Sequence, residues 1–270
     1  MARLALLSLL SLLWVGVTMS TAVDLQKRII GGQTCGQNER QYHVKLSTDP
    51  TGSSLLCGGS LISKQWILTA AHCWKSNMYA VLGVHPGPGQ VVKIIEPAVI
   101  FKEKNTNERT HDLMLLKLPS PTKVRPVRLP ECKRQPTIGQ KVQMAGFGAT
   151  AVGRNNRRIS GTSNTLQCAD FELVDCQRLQ NVLRNNNPQF YNKRQHQSWL
   201  CYQAPGVDTC PGDSGGGVVF QNRIYGVHSF TGDANFACSE SAAFMNICHE
   251  PYYQWIKTTI ASPKKCWWCG

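Results

Sequence analysis

The chain has 270 residues, twelve cysteines and a formal net charge of +13. This length allows one large domain or two small ones with a sizeable core. The basic balance favours weak attraction to acidic surfaces such as sulfated glycans. No nucleic-acid reader motif is present, so we do not expect nucleic-acid binding. Basic side chains are concentrated in residues 154–158 and 193–194, which we interpret as surface loops. A solvated basic face without a partner explains them equally well.

The first residues follow the pattern of a secretory signal peptide. Arg3 gives a positive start, residues 4–17 form an apolar run, and Ser20 and Ala22 supply small residues before a cleavage point. A transmembrane anchor is the alternative, but the run is shorter than the ~20 apolar residues that cross a bilayer. We therefore expect residues 1–22 to be removed and the protein to be secreted and extracellular, without a membrane partner.

The cysteines are even in number and scattered along the chain. In an exported protein this indicates a disulfide framework rather than a thiol or zinc system. The only C-x-x-C, Cys266 to Cys269, lies in a short tail at residues 263–270. A tight bridge or a link to another chain explains it, and Trp267 and Trp268 between the cysteines suggest a docking point. No thioredoxin-like pattern surrounds the pair, which argues against a redox role.

Short apolar or alternating runs separated by Gly, Pro and Asn dominate the rest of the chain. Many short strands with turn signals between them predict an all-β sandwich or barrel. The predicted strands are residues 43–46, 60–62, 66–68, 78–82, 91–95, 113–118, 141–144, 217–220 and 224–227. One helix is predicted at residues 251–261, where Pro251 opens a segment with an apolar face.

The most informative motif is GDSGG at residues 212–216. A serine hydroxyl such as that of Ser214 is a weak nucleophile unless a base removes its proton. Flanking glycines let the backbone turn tightly and bring N–H groups close to a reacting centre. The same G-x-S-x-G pattern occurs in α/β-hydrolases, so the motif alone leaves two kinds of hydrolase open.

Two further segments distinguish these possibilities. TAAHC at residues 69–73 ends a β-rich run with His72, and HDLMLLKL at residues 111–118 places Asp112 at the head of an apolar strand. Taken singly, His72 could be a structural histidine and Asp112 a turn residue. The chain order of His72, Asp112 and Ser214 excludes an α/β-hydrolase, in which the serine comes first.

Together these residues resemble the chymotrypsin-like (trypsin-like) serine proteases, peptidase family S1, over roughly residues 29–262. The resemblance implies two packed six-stranded antiparallel β-barrels with a C-terminal helix and an active site between the barrels. It implies that Ser214 attacks the scissile carbonyl while His72 acts as general base and then acid. Asp112 would fix the tautomer of His72, and the N–H groups of Gly212 and Ser214 would form the oxyanion hole.

The resemblance also implies an activation site. Lys27 and Arg28 precede IIGG at residues 29–32. In the family, cleavage after the basic residue frees an amine, here that of Ile29, which pairs with the acid before the nucleophile, here Asp213. A buried ammonium and carboxylate are costly unless they are paired. Residues 23–28 are therefore the expected propeptide, although an ordinary dibasic loop would also account for the two basic residues.

Five disulfides follow from the resemblance alone, since connectivity cannot be deduced from sequence. The expected pairs are Cys35–Cys168, Cys57–Cys73, Cys132–Cys248, Cys176–Cys201 and Cys210–Cys238. No cofactor and no metal are expected. The loop at residues 83–90 carries no acidic residue, whereas the calcium site of trypsins needs carboxylate oxygens there.

The primary pocket departs from the family pattern. Asp208 stands where trypsin-like members carry an acid that pairs with Arg or Lys of the substrate. Ser229 and Phe230 match the strand that binds the substrate backbone. Thr231 and Ala242 stand where trypsin has glycines, and both add atoms to a narrow slot. An insertion between residues 232 and 237 leaves open whether Gly232 takes one glycine role.

Two functions therefore remain. The first is a secreted serine endopeptidase made as a precursor, with a restricted preference for Arg or Lys. The second is a peptidase-fold binding protein with an obstructed pocket and little activity. The complete triad and the activation site favour the first. Expected partners are protein or peptide substrates, an activating protease, protein protease inhibitors and acidic glycans.

Overall fold

The computed structural model describes residues 29–104 and 108–261. The predicted signal peptide (1–22), the propeptide with Arg28, and the tail with Cys266 and Cys269 lie outside the described residues. The strands are β1 (Gln33–Thr34), β2 (His43–Ser47), β3 (Cys57–Leu61), β4 (Trp66–Thr69), β5 (Met78–Leu82), β6 (Gln90–Ile94), β7 (Val99–Lys102), β8 (Thr110–Lys117), β9 (Lys141–Gly146), β10 (Gln167–Val174), β11 (Trp199–Gln203), β12 (Gly217–Phe220), β13 (Arg223–Phe230) and β14 (Ala242–Asn246). The helices are α1 (Gln177–Asn186), α2 (Pro188–Arg194) and α3 (Glu250–Ala261).

The strands form two antiparallel sheets, the first from β2 to β8 and the second from β9 to β14 together with β1. The first has the order β6-β5-β2-β3-β4-β8-β7. In the second, β9 pairs with both β10 and β12, which closes a ring of six strands, and β1 adds to the outer edge of β10. The prediction of an all-β fold with two barrels is confirmed, and each sheet carries one strand beyond the expected six.

Burial explains which strands were evident from the sequence. In β8 every residue from His111 to Leu116 is buried, so the strand is a continuous apolar run rather than an alternating one. It begins at Thr110, three residues earlier than predicted, and therefore contains Asp112. Strand β10 was missed because its alternation is carried by charges: Asp170 and Glu172 are exposed, while Phe171 between them is buried.

The predicted C-terminal helix is present as α3 and begins one residue earlier, at Glu250. Helices α1 and α2 were not predicted. A start signal for α2 exists in the sequence, because Asn187 accepts a hydrogen bond from Phe190 N–H and Pro188 occupies the first turn. Residues 193–194 thus end a helix, which corrects their interpretation as a loop.

Four of the five expected disulfides are present: Cys35–Cys168, Cys57–Cys73, Cys132–Cys248 and Cys176–Cys201. The fifth is wrong for this structure, because Cys210 and Cys238 are unbonded although both pack against one small apolar cluster. Disulfides demand a specific backbone geometry. The amide of Cys238 is instead held by Asp208 Oδ2 at 2.8 Å, with a left-handed φ of 59°.

None of the helices in residues 29–104 and 108–261 combines the length and the apolar character that crossing a membrane requires.

The first barrel's core depends on β8, and Leu115→Ala tests this. Leu115 is fully buried, so its truncation should lower the free energy of unfolding by roughly 2–5 kcal/mol. Ile95→Ala is the control, since Ile95 is 65% exposed and a surface change costs about 0.5 kcal/mol or less. Urea unfolding in a Ser214→Ala background, which prevents self-digestion, measures both. Equal effects at the two positions would contradict the assignment of β8 to the core.

Candidate active site

Pairing of β4 with β8 brings His72 and Asp112 together. His72 lies in a short 3-10 turn directly after β4, and Thr69 at the end of β4 pairs with Met114 in β8. His72 Nδ1 lies 2.9 Å from Asp112 Oδ2, and the backbone N–H of His72 donates to Asp112 Oδ1 at 2.9 Å. Two contacts to one carboxylate fix both the ring and its backbone, which leaves Nε2 as the available ring nitrogen.

Asp112 is buried and receives donors from both barrels. Its Oδ2 accepts from Ser229 Oγ at 2.5 Å and from the Arg194 guanidinium at 3.0 Å. Burial alone would raise the pKa of Asp112, but the hydrogen bond from His72 and the charges of His72 and Arg194 outweigh it and hold the pKa well below its usual range. Asp112 is therefore a stable anion beside His72.

Arg194 is a site residue that the sequence did not reveal. It ends α2, and its guanidinium lies over the rings of Phe190, at 4.8 Å, and Phe230, at 5.8 Å. Aromatic faces attract such a cation. The side chain reaches Asp112 because α2 packs against β13. In the sequence, Lys193 and Arg194 are only a basic pair next to Asn and Gln, which does not indicate this contact.

Ser214 lies on a turn between the barrels. Gly58 of β3 donates its N–H to the Ser214 carbonyl at 2.8 Å, and Gly215 donates to the His228 carbonyl of β13 at 2.8 Å. Gly215 has a φ of 80°, and Gly212 a φ of 100°, which an L side chain rarely adopts. The glycines of the motif are thus required by backbone geometry at both ends of the turn.

The backbone donors at this turn are unused in the described part of the chain. Neither the Gly212 nor the Ser214 N–H donates a hydrogen bond there, and Ser214 Oγ makes none within 3.5 Å. The 3-10 turn carrying His72 is adjacent, since Cys73 Sγ lies 3.9 Å from the Ser214 carbonyl oxygen. Catalytic hydrogen bonds are often loose before substrate binds.

Asp213 is fully buried behind the turn. Its carboxylate accepts from the N–H groups of Gly148 and Cys210, each at 2.8 Å. Burial raises the pKa of Asp213 to about 6 even though both hydrogen bonds oppose the rise. A Cβ on Gly148 would lie 2.5 Å from Asp213 Oδ2, so only glycine permits this approach. The carboxylate is solvated by amides but lacks a directly paired cation among the described residues.

Of the predicted pocket residues, Asp208, Ser229 and Ala242 are buried, and Asp208 has a partner that the sequence did not reveal. Asp208 is 3% exposed and forms an ion pair with Arg158 at 2.5 Å. Burial raises the pKa of Asp208, and the Arg158 charge opposes that rise. Thr231 is half-buried, and its hydroxyl lies 3.4 Å from the Asp233 carbonyl oxygen.

Residues 154–157 are exposed, as the surface-loop interpretation of residues 154–158 requires, and Arg158 is the exception. Its side chain is 6% exposed, whereas its neighbour Arg157 is exposed. Nothing in a run of Arg and Asn distinguishes the one arginine whose side chain is buried.

Cys57, His72 and Cys73 bring potential ligand atoms within 4.8 Å of one another. Cys57 and Cys73 form a disulfide with an S–S distance of 2.02 Å, so neither sulfur is a thiolate. Metal binding by cysteine requires the thiolate, and this group therefore does not fit a metal.

An arrangement of two antiparallel barrels with a hydrogen-bonded His–Asp pair beside a glycine-flanked serine turn defines the chymotrypsin-like serine endopeptidases. The family model described as Trypsin matches residues 29–256. The chain belongs to this family, peptidase family S1, and is a serine endopeptidase of that class.

Relatives support this assignment over nearly the whole chain. Serine protease 1 of Canis lupus familiaris is 32% identical over 260 residues, covering 92% of this chain and 96% of that protein. Human kallikrein-8 is 30% identical over 249 residues, covering 88% of each. The structure of neuropsin, a serine protease expressed in the limbic system of mouse brain, has a TM-score of 0.67 at 29% identity, covering 85% of this chain and 98% of that one.

A scabies mite inactivated protease paralogue also shares the fold, with a TM-score of 0.70 at 19% identity, covering 87% of this chain and 98% of that one.

The buried Asp213 should make the full chain less stable as pH rises. Its pKa is higher in the folded state, so the folded state binds more protons, and stability is lost between about pH 4 and pH 6. The shift corresponds to about 3 kcal/mol. Asp213→Asn removes this dependence. Relative to the parent, the free energy of unfolding of Asp213→Asn should therefore be about 2–3 kcal/mol higher at pH 7.5 than at pH 4, so that the variant gains stability as pH rises.

Urea unfolding at the two pH values, again in the Ser214→Ala background, measures this difference. Asp170→Asn is the matched control, because Asp170 is exposed on β10. A pH-independent difference for Asp213→Asn would contradict the raised pKa.

Proposed function

We propose that the protein is a secreted serine endopeptidase precursor, activated by cleavage after Arg28, that cuts peptide bonds after Arg or Lys with restricted specificity. The observation that carries this proposal is the bond between His72 and Asp112 beside the turn that presents Ser214. The substrates are proteins, as the family implies.

In the proposed reaction, Ser214 Oγ attacks the scissile carbonyl and His72 Nε2 accepts its proton. Asp112 keeps the proton on Nδ1 and stabilises the imidazolium that forms. The unused N–H groups of Gly212 and Ser214 bind the oxyanion. Loss of one such donor typically costs about 3–4 kcal/mol of transition-state stabilisation. His72 then protonates the leaving amine. A water molecule, deprotonated by His72, attacks the acyl group on Ser214 and releases the carboxylic acid product.

Activation depends on the Ile29 amine and Asp213. Ile29 is fully buried against the second barrel, so its backbone is already near the interior. A buried carboxylate without a paired cation is unfavourable. Cleavage after Arg28 supplies an ammonium that pairs with Asp213 and orders the Gly212 donor. This scheme assigns residues 1–22 to the signal peptide, 23–28 to the propeptide and 29–262 to the peptidase domain.

Asp208 provides the charge for a basic substrate side chain at the base of the primary pocket. Ser229 and Phe230 bind the substrate backbone along β13. Thr231 and Ala242 narrow the pocket and restrict the substrates accepted. A Cβ on the adjacent Gly232 would clash with the Ser241 carbonyl oxygen, so no side chain fits there.

The compartment and partners follow from the same scheme. Four disulfides support an oxidising, extracellular location. An activating protease cuts after Arg28, protein protease inhibitors occupy the substrate cleft, and the basic surface attracts acidic glycans.

Activation makes Ser214 reactive in this scheme. After cleavage at Arg28, verified by N-terminal sequencing from Ile29, a fluorophosphonate probe should label Ser214, and Ser214→Ala should abolish labelling. Arg28→Gln keeps the chain uncleaved and should lower the labelling rate on the order of 100-fold, because the oxyanion donors are not ordered. Mass spectrometry of the labelled peptide measures this. Absence of labelling in protein verified as cleaved would contradict the proposed enzyme mechanism.

Specificity is tested with a peptide library on the cleaved protein. Peptides with Arg or Lys before the cut should be preferred, and Asp208→Asn should reduce kcat/KM for them on the order of 100-fold, because the substrate charge loses its partner. Thr231→Gly and Ala242→Gly should raise kcat/KM for the same peptides by widening the pocket. Preference for apolar residues in the unsubstituted enzyme would show that the role of Asp208 is misassigned.

A further inference from the structure

Arg158 makes a complete set of contacts around Asp208. One guanidinium nitrogen donates to Asp208 Oδ2 at 2.5 Å and the other to the Thr209 carbonyl at 2.6 Å, while Nε donates to the Asp233 carbonyl at 2.8 Å. All three nitrogens therefore have acceptors from two separate segments. The side chains of Arg158 and Asp208 are 6% and 5% exposed, so water is largely excluded from the pair.

The segment that carries Arg158 is tied to the insertion beside the pocket. Residue Arg157 pairs antiparallel with Phe236, and Arg158 N–H donates to the Asn235 carbonyl at 2.8 Å. Ala237 N–H in turn donates to the Asn156 carbonyl at 2.9 Å. These bonds make a short two-stranded ribbon that aims Arg158 at Asp208.

The insertion is itself ordered by a local turn. Asp233 Oδ1 accepts from the N–H groups of Asn235 and Phe236, at 2.7 and 2.9 Å. This turn presents the Asp233 carbonyl to Arg158 Nε. All of these partners lie C-terminal to Arg28, so cleavage of the propeptide removes none of them.

We propose that Arg158 is a specificity-determining residue that occupies the primary pocket as an internal ligand, so that a substrate Arg or Lys reaches Asp208 only after Arg158 has left. The inference rests on the proposed role of Asp208 in the pocket. A guanidinium held bidentately by a carboxylate and a carbonyl is the interaction that a substrate arginine would make. The internal group and the substrate group therefore compete for one carboxylate.

The competition has a defined kinetic consequence. The binding-competent pocket is populated only in the fraction of molecules in which Arg158 is displaced, and the apparent affinity falls by that fraction. The reacting atoms at Ser214 and His72 are unaffected. Occupation by Arg158 should thus raise KM for basic substrates and leave kcat nearly unchanged.

The first test compares Arg158→Gln with the parent in cleaved protein, with active sites counted by fluorophosphonate titration. Arg158→Gln should bind p-aminobenzamidine, a fluorescent amidine, at least tenfold more tightly and lower KM for Arg peptides by a similar factor at unchanged kcat. Arg157→Gln is the matched control, since it removes the same charge from an exposed neighbour, and should change neither value. The double variant Arg158→Gln with Asp208→Asn should lose the gain.

Equal amidine affinity in the parent and in Arg158→Gln would overturn the proposal. Arg158→Lys covers the case in which Arg158→Gln does not fold, because it keeps the charge while losing the three-nitrogen contact. It should fall between the parent and Arg158→Gln in amidine affinity, and affinity equal to that of the parent overturns the proposal equally.

A second measurement uses the parent chain and does not depend on catalysis. Phenylglyoxal modification mapped by mass spectrometry should reach Arg157 at least tenfold faster than Arg158, and Asp208→Asn should abolish most of that protection. Rapid modification of Arg158 in the parent would overturn the proposal. Failure of fluorophosphonate labelling with Arg158 still protected would instead count against the proposed peptidase activity alone.

Discussion

Three buried carboxylates, those of Asp112, Asp208 and Asp213, impose the main constraint on the site, because each needs compensating donors. A buried carboxylate is costly unless donors or cations compensate it. Asp112 receives His72, Ser229 and Arg194. Asp213 receives two backbone amides, and Asp208 receives the Arg158 cation together with the amides of Thr209 and Cys238. The donors around the three carboxylates differ, and so do the roles proposed for the three residues.

The compensation of Asp112 connects the two halves of the chain. His72 comes from the first barrel, whereas Ser229 and Arg194 come from the second sheet and from α2. Arg194 adds a positive charge next to the anion that steadies the imidazolium of His72. This charge keeps Asp112 ionised. It also partly cancels the negative potential of Asp112 at the imidazolium of His72. The position of α2 thus affects the electrostatics of the proposed base.

Much of this arrangement was predictable from sequence, and the remainder was not for identifiable reasons. His72, Asp112 and Ser214 lie in motifs whose local context is nearly complete, and strands such as β5 and β12 are apolar runs with clear boundaries. Arg158 and Arg194 belong to polar stretches without periodicity, and their burial arises from pairing between segments far apart in the chain. The bond expected between Cys210 and Cys238 was carried over from the family. In this structure, both cysteines are unbonded.

The charges around Asp208 also link the proposed occupation by Arg158 to the proposed activation. Burial raises the pKa of both Asp208 and Asp213, and the charge of Arg158 opposes that rise at each carboxyl. Within residues 29–104 and 108–261, the two acids therefore share the Arg158 cation. Such an excess of negative charge favours retention of Arg158. In the proposed activation, the Ile29 ammonium brings a second cation and balances the two acids. The attraction between Arg158 and the two carboxylates then decreases, although its hydrogen bonds to the Thr209 and Asp233 carbonyls remain. Cleavage would therefore weaken the proposed internal ligand without removing it, which reconciles a complete triad with the proposed restriction of substrates.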